Sequence, residues 1–278
     1  MSTGASEQLE SRVRTSRRVG SCGRDNGAAI LTYNIVTSKM PEEPGGFQSR
    51  PRRPPPEPEP VAISILHEDD SLIAIDKPPG LVVHPTYRNW SGTLLNGLLW
   101  HVRGRPGIQP SIITRLDKDT SGIVLVALTP EVHARVQRDA IAGRLRKQYL
   151  AVVRGTPASA RGVITLPLGR SLEDRRLVVV TSAGQHCHTT YEVLSSANGR
   201  SVVQCELFTG RTHQIRVHLA ALGYPIVGDR VYGEADADMP RQALHMRRLT
   251  LPHPVTRETV EFEAPLPQDL RDLITGLS

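Results

Sequence analysis

A carboxylate in a tight loop at the mouth of a buried strand is a setting in which enzymes hold a nucleophile or a general base. Residues 115–122 of this chain, Arg115-Leu116-Asp117-Lys118-Asp119-Thr120-Ser121-Gly122, have that form. They are preceded by Ile112-Ile113 and followed by the apolar run Ile123-Val124-Leu125-Val126-Ala127-Leu128. The length and β-branched content of the second run predict a buried strand. A cation two residues before Asp117 helps keep the acid ionised. Two other side chains complement it. Arg216 offers a guanidinium for a two-pronged contact with a carboxylate. Tyr149 offers a flat face for stacking on a base and a hydroxyl for hydrogen bonding. Spacing alone does not bring the three together, and a solvated polar turn is the competing reading of 115–122.

The elements that must position these groups begin near Val61. Val61 to His67 and Leu72 to Asp76 read as strands joined by the polar turn Glu68-Asp69-Asp70-Ser71. Thr93 to Val102 reads as a helix with Leu94, Leu95, Leu98 and Leu99 on one side. Thr129-Pro130-Glu131 is a helix start, with a capping hydroxyl, a first-turn proline and an early acid. That helix is expected to run to about Leu145, with Val132, Val136, Ala140 and Ile141 inward and Arg135, Arg138, Arg144 and Arg146 on its other side. Strands follow at Gln148 to Arg154, Arg161 to Leu166, Leu177 to Thr181, His188 to Ser195 and Ser201 to Thr209. After Gly210 a helix from about Thr212 to Leu222, closed by Gly223, turns Ile215, Leu219 and Leu222 to the core. Arg216 sits one position off that stripe. Mixed helices and adjacent strands predict an α+β fold with a large, mostly antiparallel sheet.

Residues 1–60 have another texture, rich in Ser, Arg, Gly and Pro, and end in Pro51-Arg52-Arg53-Pro54-Pro55-Pro56-Glu57-Pro58-Glu59-Pro60. Such a run favours extended polyproline geometry, so 1–60 is read as a disordered basic segment and linker, and 61–278 as one catalytic domain.

The chain has 278 residues with 34 basic against 28 acidic, a formal net charge of +6, which favours a polyanionic partner, nucleic acid first. Cys22, Cys187 and Cys205 show no disulfide pattern, which fits a reducing compartment. His186-Cys187-His188 is the one candidate metal cluster, but no second pair stands at ligand spacing. No apolar run is long enough to span a bilayer and no signal-peptide core is evident, so a cytoplasmic location is expected.

Several stretches in order resemble the RluA/RluD type of RNA pseudouridine synthase: residues 115–122; Lys147-Gln148-Tyr149-Leu150-Ala151; Thr209-Gly210-Arg211-Thr212-His213-Gln214-Ile215-Arg216-Val217-His218-Leu219; and Gly228-Asp229-Arg230-Val231-Tyr232-Gly233. Weaker echoes are Asp76-Lys77-Pro78-Pro79-Gly80 with Val83-His84-Pro85, and Leu244-His245 with His253-Pro254. The resemblance covers about Val61 to Pro265. It implies a pseudouridine synthase-like fold, with helices flanking the sheet and a central RNA-binding cleft. It implies isomerisation of uridine to pseudouridine in ribosomal or transfer RNA, without cofactor or metal; a monomer is expected. Asp117 matches the family's catalytic aspartate, Tyr149 the tyrosine that stacks on the uracil, and Arg216 the basic partner of the aspartate. Arg115 matches the position that holds the RNA open, while Thr120, Arg211 and His213 complete the expected substrate-binding set. One departure is Thr114, where the family usually has His.

Two other functions compete. A non-catalytic RNA-binding or assembly factor would use the same charge and stacking groups. A glycoside hydrolase would pair Asp117 with Asp119, but sugar clefts want aromatic platforms and this chain has two Trp and three Phe.

Overall fold

The computed structural model describes residues 55–86 and 89–277. In chain order the elements are β1 (Ser64–Glu68), β2 (Leu72–Lys77), α1 (Leu94–His101), β3 (Ser111–Ile112), β4 (Ser121–Ala127), α2 (Pro130–Ile141), β5 (Arg146–Arg154), β6 (Arg161–Ile164), β7 (Leu168–Arg170), β8 (Val178–Val180), β9 (Thr189–Ala197), β10 (Arg200–Leu207), α3 (Gln214–Ala221), β11 (Leu244–Pro252), β12 (Thr259–Glu263) and α4 (Gln268–Thr275). Ten strands form one sheet with the order β1-β2-β4-β11-β5-β10-β9-β6, with β12 beside β11 and β3 beside β4; β7 and β8 form a separate hairpin. The pairings are antiparallel except β11 with β4, which run parallel. The α+β fold with a large, mostly antiparallel sheet is therefore the observed one.

The sheet's middle is covered on both faces. Along β2 and β4, Leu72, Ala74, Ile123, Leu125 and Ala127 enter one apolar cluster, which also takes in residues of α2, α3 and α4. Their alternate neighbours Ile73, Ile75, Val124 and Val126 enter a second cluster with Leu94 and Leu98 of α1. Period-two alternation with both faces buried leaves no polar face, hence the unbroken apolar run in the sequence.

Two inward assignments are corrected. Ile141 is 88% exposed and Leu222 is 38% exposed. The positive φ of Gly143, 71°, follows the end of α2 at Ile141, so Ile141 occupies the last turn rather than the middle of a longer helix. Leu222 is the C-cap of α3, and the chain reverses at Gly223 with φ 86°.

Most of residues 1–60 lie outside the described residues, but the last of the Pro-rich run does not. The Glu59 amide donates to the Asn96 carbonyl (3.1 Å), and the Asn96 side-chain amide donates to the Glu57 carbonyl (2.8 Å). Gly97 lies so close beneath this segment that a Cβ there would stand 2.7 Å from the Val61 carbonyl oxygen. Packing against α1 thus begins upstream of the expected boundary at Val61.

Candidate active site

Asp117 lies in the loop between β3 and β4, and that loop is anchored residue by residue. The Thr114 hydroxyl accepts the Leu125 amide (2.8 Å). The Thr120 amide donates back to the Asp117 carbonyl (3.1 Å), closing a turn around the acid. The Asp119 carbonyl accepts from Arg241 Nη1 (3.0 Å), whose guanidinium is itself clamped by Asp269. Beneath the loop lies Lys77, with no exposed surface. Its ammonium donates to the carbonyls of Pro78 (2.7 Å), Leu81 (3.0 Å) and Lys118 (2.8 Å). Burial pulls the Lys77 pKa down to about 7, but three carbonyl acceptors match the three donors of an ammonium. The loop that carries Asp117 therefore rests on a fully engaged buried cation.

The opposite wall is α3 and the loop before it. Gln214 is buried, and its side chain ties that loop down: its Oε1 accepts from the Thr209 hydroxyl (2.9 Å) and the Arg211 amide (3.0 Å), and its amide donates to the His188 carbonyl (3.1 Å) and Thr189 Oγ1 (2.9 Å). His213, the N-cap of α3, has φ 55°, a left-handed conformation that costs a non-glycine residue about 1 kcal/mol or more. Its Nδ1 lies 2.7 Å from the Tyr232 hydroxyl and its Nε2 lies 3.8 Å from Asp117 Oδ2. Burial lowers the His213 pKa; Asp117 pulls it the other way, and the Arg216 charge also acts downward.

Arg216 joins the two walls. Its Nη1 donates to Asp117 Oδ2 (2.8 Å), while Nε and Nη2 grip Asp229 Oδ2 and Oδ1 at 2.7 and 2.8 Å. The two-pronged contact expected at Asp117 is thus made to Asp229, and Asp117 receives a single prong. Asp229 Oδ1 also accepts the amides of Val231 (3.0 Å) and Tyr232 (3.2 Å). The guanidinium carbon lies 5.1 Å from the Tyr232 ring centroid, within cation–π range. Burial alone would lower the Arg216 pKa, but the hydrogen bonds and charges of Asp229 and Asp117 outweigh it and raise it. Burial alone would raise the Asp229 pKa, yet Arg216 holds it below the usual carboxylate range.

Tyr149 on β5 is nearly buried and faces the same cavity. Burial, and after it the negative charge of Asp117, raises its pKa, so the phenol keeps its proton at neutral pH. The cavity measures about 970 Å³ and is lined by Asp117, Tyr149, Arg216, Arg115, Arg211 and His213 among others. Arg115 and Arg211 are exposed on its walls. Thr120 borders it as well, but is buried and accepts a hydrogen bond from Gln242 Nε2 (3.2 Å), which makes it an anchor of the loop. The residues that sequence reasoning left without a role are Asp229, Tyr232 and Lys77. All three stand in stretches quoted for the family resemblance, and that was the available signal. His186-Cys187-His188 does not converge: the Cys187 thiol donates to the Gln185 carbonyl (3.3 Å), and the His188 ring stacks on Phe208.

Asp117, Arg216 and Asp229 form a cation–carboxylate triad at the edge of a large basic cleft on an α+β sheet, a site suited to a polyanionic substrate. The chain matches the model of the RNA pseudouridylate synthase family over residues 71–221, more than half its length. It is 38% identical over 262 residues to the uncharacterized RNA pseudouridine synthase YlyB of Bacillus subtilis, covering 91% of this chain and 86% of that one. It is 40% identical over 232 residues to the ribosomal large subunit pseudouridine synthase D of Pseudomonas aeruginosa, covering 78% and 72%. Among solved structures it resembles human RNA pseudouridylate synthase domain containing 4, with a TM-score of 0.63, 26% identity, and coverage of 77% and 92%. This chain belongs to the RNA pseudouridylate synthase family. It is an isomerase that converts uridine in RNA to pseudouridine.

Proposed function

We propose that the substrate is large-subunit ribosomal RNA and that Asp117 is the catalytic acid residue, with Tyr149 and Arg216 completing the reacting site. The observation that carries the site assignment is the 2.8 Å contact from Arg216 Nη1 to Asp117 Oδ2 at the floor of the cleft. That contact aims the carboxylate while leaving its other oxygen for chemistry. The ribosomal assignment rests on relatives named as ribosomal large subunit pseudouridine synthase D that are 37 to 42% identical to this chain. Transfer RNA is the second substrate class.

The target uridine leaves its stack to reach Asp117, at a cost of roughly a few kcal/mol. Phosphate contacts from Arg115 and Arg211 offset that cost and make binding salt-dependent. The flipped uracil stacks on Tyr149. The bond from ribose to nitrogen 1 breaks, the uracil turns, and carbon 5 bonds to the ribose; carbon 5 gives up its proton and nitrogen 1 takes one up, so protons balance. No atom is gained and no electron changes hands, so these side chains suffice. Tyr149 serves as a platform for the flipped base, and its hydroxyl assists removal of the carbon 5 proton. The enzyme acts as a monomer in the cytoplasm, where its RNA is made.

Asp117→Asn is expected to abolish tritium release from RNA labelled at carbon 5 of uridine while RNA binding stays within about twofold, because an amide keeps the shape and loses the charge. Substantial release by the variant would remove Asp117 from the mechanism. Pseudouridine mapping in cells with and without the gene distinguishes ribosomal from transfer RNA.

A further inference from the structure

Lys147 has no role in the mechanism above, yet it projects into the same cleft. Residues two apart on a strand share a face, about 7 Å from each other. Lys147 and Tyr149 on β5 stand in that relation, opposite Leu207 and Cys205 of β10. Among the described residues the Lys147 ammonium has no hydrogen-bond or ion-pair partner. Burial lowers its pKa and no nearby acid opposes that effect. Its neighbours differ: Arg146 is paired with Glu206, and Arg216 with two carboxylates. A half-buried cation without a counter-charge is costly unless a ligand supplies one.

Gly210 supports the same conclusion. A Cβ at this position would stand 3.2 Å from Lys147 Nζ, tighter than ordinary contact. The backbone of Gly210 is not in the left-handed region, so its conformation does not demand glycine. What the missing side chain leaves is room beside the ammonium, on a wall that Gly210 shares with Arg211 and Thr212.

We propose that Lys147 and the notch at Gly210 form a phosphate subsite that grips the RNA backbone at or next to the flipped uridine. The separation from Tyr149, roughly 7 Å along the strand, is the scale of a single nucleotide. A base stacked on Tyr149 would bring a backbone phosphate to Lys147. The inference rests on the uridine isomerase reading and adds a backbone contact to it.

The test measures RNA affinity and turnover of the full chain at several salt concentrations for Lys147→Met, Lys147→Arg and Gly210→Ala. One lost phosphate contact lowers the slope of log affinity against log salt by about one. Lys147→Met is therefore expected to bind more weakly than the parent, with the gap closing about three- to fourfold between roughly 50 and 200 mM salt. KM rises and kcat changes little. Lys147→Arg restores most of the affinity. Gly210→Ala weakens binding in the same direction by crowding the ammonium. An unchanged salt slope in Lys147→Met, with tritium release from the parent intact, overturns the subsite and leaves the isomerase reading standing. Absence of tritium release from the parent would overturn that reading instead. If Lys147→Met fails to fold, the slope of Gly210→Ala decides.

Discussion

Arg216 divides its donors between two carboxylates of different exposure, 25% for the Asp117 side chain and 1% for Asp229. Asp229 acts as the fixed jaw that aims Arg216, and Asp117 receives the remaining prong. Removing one member of a buried ion pair leaves the other charge uncompensated. Asp229→Asn is expected to cost on the order of 3 kcal/mol in urea unfolding. It should also lower kcat roughly 10- to 100-fold, because a small drift of the guanidinium misplaces Asp117. A variant with parental kcat would show that Asp229 does not aim Arg216. At this scale the sequence displayed Asp117, Tyr149 and Arg216 through their motifs, and the structure brings them to one cavity. It hid the division of labour. Asp117 lies 99 residues from Arg216 and Asp229 only 13, and only the fold shows which receives two prongs.

The helices and strands that place these residues were legible wherever local pattern was strong. The cap and proline at Thr129-Pro130 mark α2, the alternating core of β10 marks a strand, and Gly223 closes α3. Strand β11 was not read. Its register slips between Met246 and Arg248, and adjacent arginines break its alternation. β12 is a short strand hydrogen-bonded to β11 and was missed with it. α4 escaped because it is eight residues long with only Leu270 and Leu273 buried. Yet β11 carries the closest backbone approach to the end of the Asp117 loop. Gly122, at the start of β4, has φ 114°, and a Cβ there would stand 2.2 Å from the Met246 carbonyl oxygen. Both the conformation and the parallel pairing of Gly122 with Met246 demand glycine. Gly122→Ala is expected to destabilise the fold by about 3 kcal/mol or more, read as a lowered urea midpoint. An unchanged midpoint would mean that β4 and β11 can part without loss.

At the scale of the whole molecule, the segment before β1 belongs to the folded unit. Glu57 and Glu59 join Asn96 and Gly92 through three hydrogen bonds, of 2.8 Å from Asn96 Nδ2, 3.1 Å from the Glu59 amide and 2.8 Å from the Gly92 amide. At about 1 kcal/mol each, their loss should lower Tm by roughly 6–12 °C for a domain of this size. A chain starting at Pro55 is therefore expected to melt at a higher temperature than one starting at Val61, by scanning calorimetry. Equal melting temperatures would show that the segment contributes nothing. Proline-rich composition read as a linker because it excludes helix and ladder bonding; it does not exclude docking through carbonyls and acid side chains. The strand order carries a last consequence. β11 lies between β4 and β5, so Asp117 sits on one side of it in the sheet and Tyr149 on the other. While the polypeptide is still being translated, the sheet cannot run unbroken from β4 to β5 until residues 244–252 clear the exit tunnel. Ribosome-bound chains shorter than that lack the strand between the Asp117 side of the sheet and the Tyr149 side, and activity is expected only near the end of the chain's own synthesis.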